Sequence, residues 1–422
     1  VNRKAIRGWL MYDWANSAFA TTMLAAVLPI YYKNIAGEGL PGNAAENYWG
    51  YTQSIGMLCV ALLSPILGAI ADASGSKVKF LTAFAIIGAI ASSSMVLAGE
   101  GDWLLASVLV ILGTIGYSAG NTFYDSLLTD IAKPEERSAI SSKGYAMGYL
   151  GGGVLLAVNI VMIMGYDKLG FPSETAGTQA AFLTVGLWWL LFALPLMRHV
   201  KVRPVHNTTG FGTLVKSGFI RVGQTFKTAR RYPELLKYMI AYWFFNDGIN
   251  TVILMATIYG AGIGIKTTHL IIALLITQFV GYPSTLLFVR IAKRMGDKRA
   301  LYLSLAVYVV IVILGFFMSS PLHFYILATM VGLVQGGSQA ISRSLYANLT
   351  PPSRSAEFFG FLSLSSKFSS VAGPLIFSIV GTITGSSRLA IISVAAFFLI
   401  GMAVLRFVDL DKGAKEAMAG EA

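Results

Sequence analysis

The sequence predicts an all-α membrane protein, with twelve transmembrane helices arranged as two six-helix bundles related by a pseudo-two-fold axis. Composition, the placement of basic residues between apolar runs, and an internal repeat carry this reading. Of the 422 residues, 55% are hydrophobic and 12% charged, with a mean hydropathy of +0.67. Soluble domains carry about 25% charged residues, so a polytopic membrane protein is indicated. The single cysteine, Cys59, rules out a disulfide framework or a cysteine-based metal site. The four histidines, 199, 206, 269 and 323, fall in loops or at span ends and form no metal cluster.

Windows of about 20 mostly apolar residues can cross a bilayer. In chain order they are 6–33, 48–71, 80–98, 103–127, 139–164, 179–197, 235–261, 267–289, 299–319, 322–347, 357–381 and 387–408. The first follows Arg3, Lys4 and Arg7; its length, and the lack of a small-residue cleavage site after it, favour a retained span over a signal peptide. Of the 32 Lys and Arg residues, only Lys33, Lys168, Lys266 and Arg388 fall on the side away from the termini. Nine lie between Arg198 and Lys237. The positive-inside rule then places both termini and this linker in the cytoplasm, as for a multi-pass protein of the cell (inner) membrane. The net charge of +12 reflects this topology and contact with anionic lipid headgroups, not nucleic-acid binding. The expected domains are 1–197, a basic linker 198–234, and 235–422, with the chain a monomer.

The halves repeat. Tyr12-Asp-Trp-Ala-Asn16-Ser17 matches Tyr242-Trp-Phe-Phe-Asn246-Asp247 at an offset of 230. Ile70-Ala-Asp72-Ala-Ser-Gly75-Ser-Lys77 matches Ile291-Ala-Lys293-Arg-Met-Gly296-Asp-Lys298 at 221, and Pro134-Glu-Glu-Arg137-Ser-Ala139 matches Pro351-Pro-Ser-Arg354-Ser-Ala356 at 217. Six helices plus six, both halves starting on one side, is a parallel repeat about the membrane normal.

Positions three and four apart share a helix face. Asp13, Asn16, Ser17, Ala20 and Thr21 form one stripe, and their equivalents Trp243, Asn246, Asp247, Asn250 and Thr251 form another. Spans four and ten align Tyr117, Asn121, Tyr124 and Asp125 with Gln335, Gln339, Ser342 and Arg343 at an offset of 218. A carboxylate at the centre of a membrane helix costs about 2.5–3.5 kcal/mol on insertion scales. Facing a watery cavity instead of lipid offsets that cost. Asn16 and Ser17 also suit interhelical packing, and Asp13 also suits the cytoplasmic interface.

Three motifs carry a family resemblance: Tyr12–Thr22 (YDWANSAFATT); the Pro-x-x-Arg loop followed by Gly144-Tyr-Ala-Met-Gly148-Tyr-Leu-Gly151-Gly-Gly; and Glu357-Phe-Phe-Gly360 with Lys367-Phe-Ser-Ser-Val-Ala-Gly373-Pro374. They resemble the vacuolar amino-acid effluxer-like (autophagy-related) family of the major facilitator superfamily, in its bacterial form. Gly68-x3-Asp72-x2-Gly75-x-Lys77 resembles that superfamily's loop between spans two and three; its second copy keeps Gly296 and Lys298 but has Lys293 for the acid. Glycines there permit tight turns and close helix approach, and an acid can sit at a neighbouring helix N-terminus. Gly144-x3-Gly148-x3-Gly152-Gly153 resembles the superfamily's antiporter motif, with Tyr149 at its proline position; small-residue packing explains it equally.

The resemblance implies a secondary transporter that exports amino acids or similar metabolites. The expected substrate contacts are Asn16, Ser17, Thr21, Tyr117, Asn121, Trp243, Asn246, Asn250, Gln335 and Gln339. Asp13 and Asp247 are candidates to carry protons, and Asp125, Arg343 and Lys367 to gate. No cofactor is expected beyond a proton or other ion gradient, and no catalytic or nucleotide-binding motif is visible. Sugar or drug transport is the alternative within the superfamily; a membrane-embedded enzyme or a non-transporting sensor is the alternative outside it.

Overall fold

A computed structural model describes residues 2–41, 44–202 and 210–421. Thr209 and the rest of 203–209, within the predicted linker, lie outside the described residues. The described chain is helical throughout. We label the principal helices α1 (Arg3–Ala18), α2 (Ala44–Ser74), α3 (Lys77–Ser94), α4 (Trp103–Ser126), α5 (Arg137–Met164), α6 (Glu174–His199), α7 (Phe211–Thr228), α8 (Pro233–Gly262), α9 (Thr267–Met295), α10 (Asp297–Phe316), α11 (Pro321–Leu349), α12 (Ser355–Ser369), α13 (Ala372–Thr384), α14 (Ser387–Ser393), α15 (Ala395–Leu405) and α16 (Leu410–Ala419). Among the described residues, nine helices are long and apolar enough to cross a membrane.

The other three predicted spans, one, seven and eleven, are helical too. Span one continues from α1 into π-helical turns at Phe19–Ala26 and Tyr32–Ala36, seen in the wide Val27 N–H to Thr22 C=O bond of 3.0 Å. Pro29, without an N–H, sits between the two wide turns. Spans eleven and twelve, read from sequence as continuous, are interrupted between α12 and α13 and between α14 and α15. The linker, read only as basic, contains α7.

Small residues let helices approach. A methyl on Gly116 would lie 2.6 Å from Gly88 backbone atoms, so α3 and α4 cross there at backbone contact. α1 packs on α5 and α6, α3 on α4 and α6, α8 on α15, and α11 on α9 and α10. Between the halves, α2 lies against α12, and α5 against α9 and α11. Leu62, Leu104, Leu191 and Ile383 are exposed, as a lipid-facing surface requires.

Candidate functional site

A cavity of about 260 Å³ lies between the halves, lined by Asp13, Ser17 and Thr21 of span one, Tyr117, Asn121, Tyr124 and Asp125 of α4, Tyr145, Gly148 and Tyr149 of α5, Gln278 of α9, and Gln335, Gln339 and Arg343 of α11. Helical spacing explains the convergence: span one, α4, α5 and α11 each turn one i, i+4 face inward, and α9 adds Gln278 alone. A second chamber of about 270 Å³ shares Ala20, Thr21, Gln278 and Gln335, and is otherwise mostly apolar, with Val252, Ile253, Ala256, Tyr259, Phe324 and Val331.

Arg343 dominates the polar cavity. It belongs to α11, yet every partner lies in the other half. Its Nη1 is 2.8 Å from Asp125 Oδ1, Nε donates to Ser141 Oγ at 2.8 Å, and Nη2 donates to the Ser141 carbonyl at 3.0 Å. Nη2 also lies 3.8 Å from Asp13 Oδ2, which accepts from the Tyr124 hydroxyl at 3.1 Å. The guanidinium faces the rings of Tyr145 (4.2 Å), Trp9 (4.7 Å) and Tyr124 (5.5 Å). Trp9 is itself fixed by stacking on Tyr124 and by donating to the Tyr124 carbonyl. Planar Arg, not Lys, suits a socket built of rings and fixed acceptors.

Further contacts join the halves at the end that carries the termini. Asp72 Oδ1 accepts from Ala356 N at 3.2 Å and Oδ2 from Glu357 N at 2.7 Å, so its carboxylate caps the first turn of α12. Gly68 is the point of contact with the Ala356 carbonyl. Lys77 bonds Asp130 (2.8 Å) and Ser355 (2.6 Å) and is 3.4 Å from Asp72. Gly75 and Gly296 have φ of +64° and +85°, the left-handed region glycine tolerates. Lys298 Nζ donates to the Val408 carbonyl within its own half. Arg137 reaches the Ala347 carbonyl and Asn348.

Of the sequence candidates, Asp13, Ser17, Thr21, Tyr117, Asn121, Asp125, Gln335, Gln339 and Arg343 are brought together in this cavity. Asn16 stands beside it, donating to Asn121 Oδ1 at 2.6 Å. The span-seven group is not brought in. Trp243 donates to Ser365, Asn246 is half-buried, Asp247 is bound to the Gly373 amide, and Asn250 is exposed. α8 presents Val252, Ile253 and Ala256 to the apolar chamber instead. Lys367 is half-buried on α12 and joins neither cavity nor the Arg343 cluster. Tyr145, Trp9 and Gln278 complete the site and were not singled out from sequence, and Tyr149 was noted there only at the proline position of the antiporter-like motif. Among the described residues no cluster of three or more His, Cys, Asp or Glu suits a metal.

The family profile described as "Vacuole effluxer Atg22 like" matches residues 42–418. The chain belongs to this family. An MFS-type transporter of Bacillus subtilis, YxiO, is 36% identical over 407 residues, covering 96% of this chain and 95% of the relative. Autophagy-related protein 22 of Yarrowia lipolytica is 25% identical over 340 residues, covering 72% of this chain and 56% of that protein. Among solved structures, the proton:xylose symporter XylE superposes with a TM-score of 0.72 at 15% identity, covering 99% of this chain and 97% of that one. The transporter FucP, in an outward conformation, gives 0.69 at 10% identity, covering 97% and 99%. These two show a shared fold. This Atg22-like chain is therefore a membrane-embedded transporter of the major facilitator superfamily, not an enzyme.

Proposed function

We propose that this chain is a secondary active transporter that exports a small zwitterionic solute, an amino acid or similar metabolite, by proton-coupled alternating access. The observation that carries this is one cavity holding Asp13, Asp125 and Arg343 together with Gln278, Gln335, Gln339, Asn121 and four tyrosines. A zwitterion competes on both sides of the Arg343 ion pairs: its ammonium for the two carboxylates, its carboxylate for the guanidinium. Binding thereby loosens the contact that holds the halves together, the differential interaction a transport cycle needs. Asp13 lines this cavity and is our choice for the proton carrier; a carboxylate beside a mobile counter-charge can bind and release a proton as access alternates. Arg343 with Asp125 forms the gate.

This reading takes twelve spans as two six-helix bundles, a monomer in the inner membrane, and both termini in the cytoplasm, as the basic loops indicate. The described conformation is then closed to the cytoplasm. Hexose transport is a second reading. It is favoured by the four amides and by Tyr117, Tyr145 and Tyr149, groups suited to sugar hydroxyls and ring faces, and structural neighbours include sugar:proton symporters. Uptake into proteoliposomes of a panel of amino acids and hexoses separates them. Saturable amino-acid transport supports the proposal; saturable hexose transport with no amino-acid response overturns it.

A further inference from the structure

Asp247 and Thr251 are 2% and 0% exposed, on one face of α8. Asp247 Oδ2 accepts from the Gly373 amide at 2.9 Å, at the start of α13. Neither its Oδ1 nor Thr251 Oγ1 makes a hydrogen bond of good geometry, although the threonine hydroxyl lies within reach of the carboxylate. Both atoms converge on the backbone at Gly373, where an added methyl would lie 2.7 Å from Asp247 Oδ1 and collide with Thr251 Oγ1. No basic side chain pairs with Asp247 among the described residues. A buried carboxylate without a counter-charge is costly.

The helix break beside it adds acceptors. In an unbroken span the Gly373 amide would bond the Ser369 carbonyl; here it is given to Asp247. Residue 374 is proline, so the Ser370 carbonyl has no N–H four residues on. The repeat supplies a control. Thr21 is the equivalent of Thr251 at offset 230, and Gly152 that of Ser369 at offset 217. In the first half, on an unbroken α5, Thr21 Oγ1 simply donates to the Gly152 carbonyl at 3.1 Å. In the second half the span is broken between α12 and α13, and Thr251 Oγ1 makes no such carbonyl bond.

We infer that Asp247, Thr251 and the carbonyls freed at the α12–α13 break form a binding site for a small monovalent cation, Na⁺. A single proton satisfies one acceptor, whereas a cation satisfies several at once. Oxygen donors suit hard cations, and one carboxylate matches a single positive charge; a divalent ion needs more. Carbonyls at the C-terminal end of a half-helix, beside a carboxylate, are a general way to hold Na⁺ in membrane helices. The site is separate from the Asp13 cavity, so it stands or falls independently of proton coupling there.

The test is thermal unfolding of the purified full chain in NaCl, KCl or choline chloride at constant ionic strength and pH. Na⁺ should raise Tm saturably, by about 1–3 °C at saturation for a chain of this length, with choline inert. Asp247→Asn should abolish the shift and Asp13→Asn should keep it. Because Asp247 also caps α13, Thr251→Val is the second variant: it leaves the cap and should weaken the Na⁺ midpoint at least fivefold, with Thr251→Ser restoring it. Equal Tm in Na⁺ and choline overturns the site, as does a Na⁺ shift unchanged in Thr251→Val. Stabilisation by acid alone, with no Na⁺ response, also overturns it and assigns the carboxylate a proton.

Discussion

Replacing Arg343 with methionine keeps an unbranched apolar stem and removes the guanidinium with its charge. The guanidinium is 5% exposed, and all its partners lie in the opposite half, so the loss falls on the conformation in which the halves meet. Removing one partner of a fully buried pair costs about 3–5 kcal/mol. Asp125 keeps 28% of its side-chain exposure, and water screens what remains, so we reduce this to about 1–3 kcal/mol, between the buried and surface limits. That shifts the equilibrium away from closure at the termini end by about 5- to 150-fold. The assay uses a Cys59→Ser background with a probe cysteine at Ser142, a buried residue of α5 next to Ser141. An impermeant maleimide added on the termini side should label Arg343→Met faster than the parent, with Arg343→Lys between them. Labelling of Arg343→Met at the parental rate, with Tm unchanged, would refute the reasoning.

Other outcomes follow from the same contacts. Glu357 is fully buried, paired with Arg354 at 2.6 Å and Arg221 of α7 at 3.1 Å, and bonded by Thr225; Glu357→Gln should lower Tm by several degrees, and Arg221→Gln, whose own side chain is 30% exposed, by less. Gly68→Ala places a methyl against the Ala356 carbonyl and should destabilise the closed end by about 1–3 kcal/mol, read as faster labelling in the Ser142→Cys assay. At the start of α8, burial pushes the Glu234 carboxyl up, but the Asp409 amide, Lys237 and Lys412 outweigh it and hold it below the ordinary value. Its contribution is therefore full above the ordinary carboxylate range and lost as pH falls through the lowered value, and Glu234→Gln should flatten that acid limb of Tm against pH. Reporter fusions at Asp102 should read outside and at Ser76 and Gly420 inside; a reversed reading at Ser76 contradicts the proposed orientation.

The parts of this site legible in the sequence were those the repeat doubled. Asp125 and Arg343 stood at equivalent positions with opposite charge, and their 2.8 Å contact is what that placement allows. The stripe of Asp13, Ser17 and Thr21 was legible because a polar face on an apolar helix has few explanations. Its counterpart in span seven was not correctly placed by the repeat. The α12–α13 break draws the Asp247 side chain to the Gly373 amide, and α8 shows the cavity small and apolar residues instead. Pro374 was the signal for the break, but a proline inside a span has several outcomes. Trp9 and Tyr145 were missed because aromatics near a span end look like interfacial anchors; only a cation reaching across from the other half gives them a different role. The wide turns of span one have no periodicity signature that an 8-residue stretch can display.

The most direct test of the transport account is pH-gradient-driven accumulation of a neutral amino acid by proteoliposomes, comparing the parent with Asp13→Asn and using counterflow as the internal control. Accumulation by the parent, abolished in Asp13→Asn while counterflow persists, is the predicted result. Accumulation undiminished in Asp13→Asn, or no amino-acid counterflow by the parent, would contradict it.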